Sequence, residues 1–139
     1  MPANAPPKTI LIVDDDVDVV VSLEAGFRSE FPDYDIETAS NGNKAVELWQ
    51  KTKHLVVILD MMLPGRSGFL VLEKMRDRSL RQHPAHKSII VMITGNQGPR
   101  HETYAMSLGA DGYMLKPLKL PALFQVVRNK LAERAKHAP

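Results

Sequence analysis

The chain has 139 residues, 44% of them apolar and 24% charged, with a formal net charge of +2. That size and balance suit one globular domain with a substantial core and leave little room for a second. Cysteine is absent, which excludes disulfides, thiolate metal sites and thiol catalysis.

Charge is unevenly spread. Acidic residues crowd the segment up to Glu37, where only Lys8 and Arg28 offset them, whereas Lys and Arg outnumber Asp and Glu from Arg66 onward. The basic excess is shared among several segments, so it reads as solvated surface and argues against a nucleic-acid face. No apolar run approaches membrane-spanning length, and Met1 to Thr9 carries no signal core. The expectation is a cytoplasmic protein without membrane contact: a disordered leader over residues 1–8, a folded domain over 9–135 and a tail over 136–139.

The elements alternate between two periods. Thr9 to Val13 is a short β-branched run that stops at Asp14, Asp15 and Asp16, which predicts a buried strand reaching a polar edge. Val20, Leu23, Phe27 and Phe31 recur at helical spacing behind an N-cap at Asp16 or Asp18, and Pro32 closes the segment. Tyr34 to Thr38 alternates as a more exposed strand, and Asn41-Gly42 turns into a helix with Ala45, Leu48 and Trp49 on one face.

Leu55 to Leu59 predicts a third, fully buried strand ending at Asp60, and Pro64, Gly65 and Gly68 break the chain into a loop. Phe69, Leu72 and Met75 mark a third helix, with Ser67 as its cap, before the polar stretch from Asp77 to Lys87. Ser88 to Ile93 is a fourth strand ending at Thr94 and Gly95. Pro99, Tyr104, Ala105 and Leu108 predict a fourth helix that Gly109 stops. Gly112 to Leu115 is a short fifth strand, and Leu120, Leu123, Phe124, Val127 and Leu131 carry the last helix. Five strands alternating with five helices demand right-handed crossovers, hence a doubly wound parallel α/β sheet with helices on both faces.

All strand C-termini of such a sheet share one edge, where ligands bind. Asp14, Asp15, Asp16, Asp60, Thr94 and Lys116 stand at those tips. Any one alone is more simply a cap, a turn residue or surface charge. Together they resist that reading, because two carboxylates about 4 Å apart repel by roughly 4 kcal/mol at an effective dielectric near 20. Such a cluster calls for a cation. Oxygen-only ligands on loops suit Mg2+ better than Zn2+. A carboxylate, a divalent cation, a hydroxyl and an ammonium form a device for receiving a phosphoryl group, with Asp60 as nucleophile and Lys116 and Thr94 holding the charged oxygens.

Val13-Asp14-Asp15, Leu59 to Gly65, Ile93-Thr94-Gly95 and Gly112 to Pro117 resemble, in that order, the motifs of response-regulator receiver domains of two-component signalling, and the likeness spans about Lys8 to Arg134. The resemblance implies a (βα)5 flavodoxin-like fold with strand order 2-1-3-4-5 and Asp60 as phosphoacceptor. It also implies Asp14 and Asp15 as the acidic pair. Asp15, Asp60 and the backbone carbonyl of Met62 would bind Mg2+ directly. Thr94 would be the switch hydroxyl, Tyr113 the aromatic switch, and Lys116 the phosphoryl partner before a cis Pro117. The donor would be a sensor histidine kinase or a histidine phosphotransfer protein. The responding surface would be the fourth helix, fifth strand and fifth helix, which could also serve a homodimer or a downstream output domain or protein.

The sequence departs from the family pattern in four places. Gly95 replaces the usual Ala, Ser67 an acidic or amide residue, and Leu118 a frequent Phe. Met62 is apolar two residues beyond Asp60, so it cannot orient an attacking water, which predicts slow intrinsic dephosphorylation. His83 and His86 read as solvated loop, Met61, Met62, Met75, Met92, Met106 and Met114 as core filler, and Trp49 as packed beneath the second helix. Two other function classes compete. A receiver-like interaction module that never takes phosphate predicts loss of Asp60 or Lys116, and both are present. A small phosphotransferase or hydrolase needs a further acid/base and a substrate pocket. No helix-turn-helix or enzymatic segment follows the last helix, which predicts either a stand-alone regulator or a receiver taken from a longer protein.

Overall fold

A computed structural model describes residues 7–77, 87–95 and 98–136. Five strands, β1 (Thr9–Val13), β2 (Asp35–Ala39), β3 (Val56–Asp60), β4 (Ile89–Thr94) and β5 (Gly112–Leu115), alternate with five helices. The helices are α1 (Val17–Glu30), α2 (Gly42–Thr52), α3 (Gly68–Met75), α4 (Pro99–Ser107) and α5 (Leu120–Lys136). The strands pair in parallel in the order β2-β1-β3-β4-β5, as the resemblance implies.

The central strands are apolar throughout because both faces are covered. Leu11, Val13, Val57, Leu59, Ile90 and Met92 meet α2, α3 and α4 on one face. Ile10, Ile12, Val56, Ile58, Val91 and Ile93 meet α1 and α5 on the other. An aromatic cluster closes that second layer: Phe27 packs edge-on to Phe124 at 5.0 Å, and Gly26 leaves room for it, since a Cβ there would lie 2.5 Å from the Phe124 ring.

Local chemistry places the helix starts. Asp16 caps α1, accepting from the amides of Asp18 and Val19; Asn41 caps α2 and Ser67 caps α3. One expectation needs correction. Met62 and Met106 are exposed, not core filler, because one lies in the loop after β3 and the other on the outer side of α4; Met61, Met75 and Met92 are buried. In α4 Ala105 alone is buried, and Tyr104 lies against α3. Trp49 is buried beneath α2 and donates from Nε1 to Ser88 Oγ at 2.9 Å. His83 and His86 lie outside the described residues.

Candidate functional site

Register brings the strand tips together. Val13 stands opposite Leu59, Asp60 opposite Ile93 and Thr94 opposite Leu115, so β1, β3, β4 and β5 end side by side. Asp14 is the first residue past β1, Asp60 the last of β3 and Lys116 the first past β5. Carboxylate oxygens of Asp14, Asp15 and Asp60 lie within 4.8 Å of one another. Asp16, the third acid of the run, is turned away to its capping role.

Asp14 and Asp60 are buried and Asp15 is exposed. The Asp14 Oδ1 accepts from the amide of Asp16 at 2.9 Å, while its Oδ2 takes no backbone donor and faces the Lys116 ammonium at 2.7 Å. The same ammonium lies 3.6 Å from Asp60 Oδ2, and Asp60 Oδ1 accepts from the amide of Met62 at 3.2 Å. Burial, then the neighbouring Asp14 charge, pushes the Asp60 carboxyl up to about 6, although Lys116 and the Met62 amide pull the other way. Burial works against the charge of Lys116, but its bonds to and attraction by Asp14 and Asp60 outweigh this and raise its pKa.

The loop after Asp60 is fixed by backbone contacts. The Met61 amide donates to Ile93 O, and the Gly68 amide donates to Met61 O. A Cβ on Gly68 would lie 2.3 Å from Asp60 O, so only glycine admits this approach. Gly65 turns the chain at φ 80°, in the left-handed region that favours glycine. Lys116 is set by its amide, which donates to Thr94 O at 2.7 Å, and its peptide to Pro117 is cis. Thr94 is fully buried at the end of β4; Tyr113 is half-buried on the edge strand β5 opposite Met92. Burial first, and then the charge of Glu102, raises the Tyr113 phenol pKa.

The donor set fits a hard divalent cation. Three carboxylates cluster, two of them facing the Lys116 ammonium, all donors are oxygen, and the backbone of Met62 adjoins them. A strand-tip cluster of this kind can receive a phosphoryl group at a carboxylate whose neighbours neutralise the added charge.

Sequence reasoning missed a second polar centre, at the opposite edge of the sheet. Arg76 ends α3 and donates to Ser88 O, Gly109 O and Asp111 Oδ2, and the same Asp111 oxygen accepts from the Ile90 amide. Nothing in the local pattern marks Arg76, which stands among the charged residues that close a helix. The fully buried His54 was also missed; its Nε2 meets Glu37 Oε1 at 2.7 Å.

A family model described as response regulator receiver domain matches residues 10–128. A receiver domain protein (CheY-like) from Methanospirillum hungatei JF-1 is 28% identical with a TM-score of 0.82, covering 95% of this chain and 99% of that one. The signal receiver domain of a DNA-binding response regulator from Colwellia psychrerythraea 34H is 27% identical with a TM-score of 0.79, covering 89% and 98%. The BeF3-activated N-terminal receiver domain of Klebsiella pneumoniae RstA is 27% identical with a TM-score of 0.73, covering 87% and 96%. With its motifs in order, its 2-1-3-4-5 sheet and its acidic strand edge, the chain belongs to the response-regulator receiver domain family.

Proposed function

We propose that this receiver, the unit over residues 9–135, takes a phosphoryl group on Asp60 in a Mg2+-dependent reaction, and that the modification switches the surface of α4, β5 and α5. The observation that carries the reading is the Lys116 ammonium, 2.7 Å from Asp14 and 3.6 Å from Asp60 in a three-carboxylate cluster. The module is a phosphoacceptor in signalling and not a dedicated enzyme.

The donor is a phosphohistidine of a sensor kinase or phosphotransfer protein. An Asp60 oxygen attacks phosphorus, the P–O bond forms as the P–N bond breaks, and the imidazole nitrogen keeps the electron pair and takes up a proton. Asp15, Asp60 and the Met62 carbonyl would hold Mg2+, with Asp14 beside them. When bound, the ion supplies positive charge that offsets the carboxylates and the incoming phosphoryl oxygens. Lys116 pairs with one phosphoryl oxygen and leaves Asp14, and the Thr94 hydroxyl donates to another. Movement of Thr94 makes room for Tyr113 to turn inward from its half-exposed site.

The surface so altered meets an output domain or protein, or a second copy of the chain. No helix among the described residues is long and apolar enough to cross a membrane. Intact-mass measurement after incubation with acetyl phosphate and Mg2+ tests the reading. It expects one added phosphoryl group, lost with chelator and lost in Asp60→Asn; an adduct that survives both overturns it.

A further inference from the structure

Of the five described helices, the fourth buries the fewest residues. It runs for nine residues, buries only Ala105, and begins at Gly98, which has no side chain to cap it. A helix this short is marginal by itself, so tertiary contacts decide where it sits. Arg76 holds the turn beyond its C-terminal end through Gly109 O.

Among the described residues, one compact cluster holds α4 to α3 along its length. The Phe69 ring packs edge-on to Tyr104 at 4.9 Å and stacks near-parallel with His101 at 6.2 Å. The Tyr104 hydroxyl donates to Glu73 Oε1 at 3.2 Å. Tyr104 is 46% exposed, so these contacts are weak individually and can be broken without opening the core.

The two sides of this cluster are tied to different parts of the site. Phe69 follows Gly68, whose backbone is pressed against Asp60 O and bonded to Met61 O, so α3 is fixed to the loop that carries the acceptor. The α4 side continues from β4, which ends at Thr94. Any rearrangement that shifts Thr94 and α4 relative to Asp60 must therefore work against the contact between Phe69, His101, Tyr104 and Glu73.

We infer that this cluster is a clamp that holds α4 against α3 in the unphosphorylated protein and sets how readily the receiver responds. The inference rests on the phosphoacceptor reading only for its second half. A clamp favouring the resting arrangement lowers the population of the responsive one, and phosphoryl acceptance that proceeds through the responsive arrangement slows in proportion to that population.

Amide hydrogen exchange of the unphosphorylated protein tests the first half. Tyr104→Phe removes the hydroxyl and keeps the ring, so α4 amides should exchange about threefold faster, and about tenfold faster in Tyr104→Ala. Exchange in the sheet and α1 should stay unchanged, which separates clamp release from general unfolding. Glu73→Ala should match Tyr104→Phe, and the double variant should add nothing, because both break the same bond.

The second half predicts that acetyl phosphate and Mg2+ modify Tyr104→Phe about threefold faster than the parent. Unchanged α4 exchange overturns the clamp. Faster exchange with an unchanged phosphorylation rate overturns its control of the response. If neither protein takes phosphate, the phosphoacceptor reading falls, and the exchange result still decides the clamp.

Discussion

Lys116 sits closer to Asp14, at 2.7 Å, than to the proposed acceptor Asp60, at 3.6 Å. In the resting protein the ammonium thus serves a buried carboxylate whose Oδ2 takes no backbone donor. Lys116→Met leaves that charge uncompensated and should destabilise the metal-free protein by about 2–3 kcal/mol, less than a fully buried pair because the lysine is partly exposed. Chemical denaturation without divalent ions measures this, and Asp14→Asn in the same background should restore most of the loss.

Asp60 has the opposite sign. Burial and Asp14 push its carboxyl up to about 6, so its charge opposes folding. Asp60→Asn should stabilise the metal-free protein by about 1–3 kcal/mol. Added Mg2+ should stabilise the parent protein and not the variant, which paired thermal melts would read out.

Two glycines near the site should respond oppositely to alanine. At Gly68 a Cβ would lie 2.3 Å from Asp60 O and 2.7 Å from Met61 Cα, both backbone atoms that cannot yield alone. Gly68→Ala should cost about 2–4 kcal/mol through overpacking and backbone displacement. At Gly95 no atom of the described residues beyond its chain neighbours lies within 4 Å of the added carbon, and φ is not in the left-handed region. Gly95→Ala should be neutral or stabilising by up to about 1 kcal/mol, because it restricts the unfolded chain. Denaturation midpoints of the two variants check both signs.

His54 gives a pH dependence away from the site. Its side chain is fully buried, and burial holds its pKa below the ordinary 6.5 despite the hydrogen bond and charge of Glu37. The unfolded chain then takes the proton first on acidification. Stability is complete above about pH 6.5 and falls as pH drops from there towards the depressed native value. His54→Gln should flatten this limb of a stability-against-pH curve, while Glu37→Gln, which removes the opposing influence of Glu37, should steepen it.

Met62 is exposed and apolar beside the acceptor. It offers no group to orient water, so the phosphorylated protein should lose its phosphoryl group slowly. Met62→Asn should speed that loss several-fold without changing its rate of formation. Following the phosphorylated fraction after removal of the donor decides this, and equal lifetimes would refute it.

The legible part of this fold was the part set by period and local chemistry. β1 and β5 begin and end where their apolar runs do, and Asp16, Asn41 and Ser67 cap the helices that follow them. The strand-tip residues could be collected because a parallel sheet puts all C-termini on one edge, whatever the side-chain details. What stayed hidden depends on contacts between distant residues. The bonds of Arg76 to Ser88, Gly109 and Asp111 cross three elements, and no spacing in the sequence encodes them. Tyr104 fits a helical apolar stripe, yet it lies outside the core, because Phe69 and Glu73 of α3 hold it on the surface. Met62 and Met61 are adjacent and identical in type, and only the loop geometry sends one inward and the other to solvent.

The most direct test is to locate the modification itself. Borohydride reduction of the protein treated with acetyl phosphate and Mg2+ converts an aspartyl phosphate to homoserine, and peptide mapping identifies the position. The account predicts homoserine at residue 60 and nowhere else. Homoserine at residue 14, 15 or 16, or none at all in folded protein saturated with Mg2+, would contradict it.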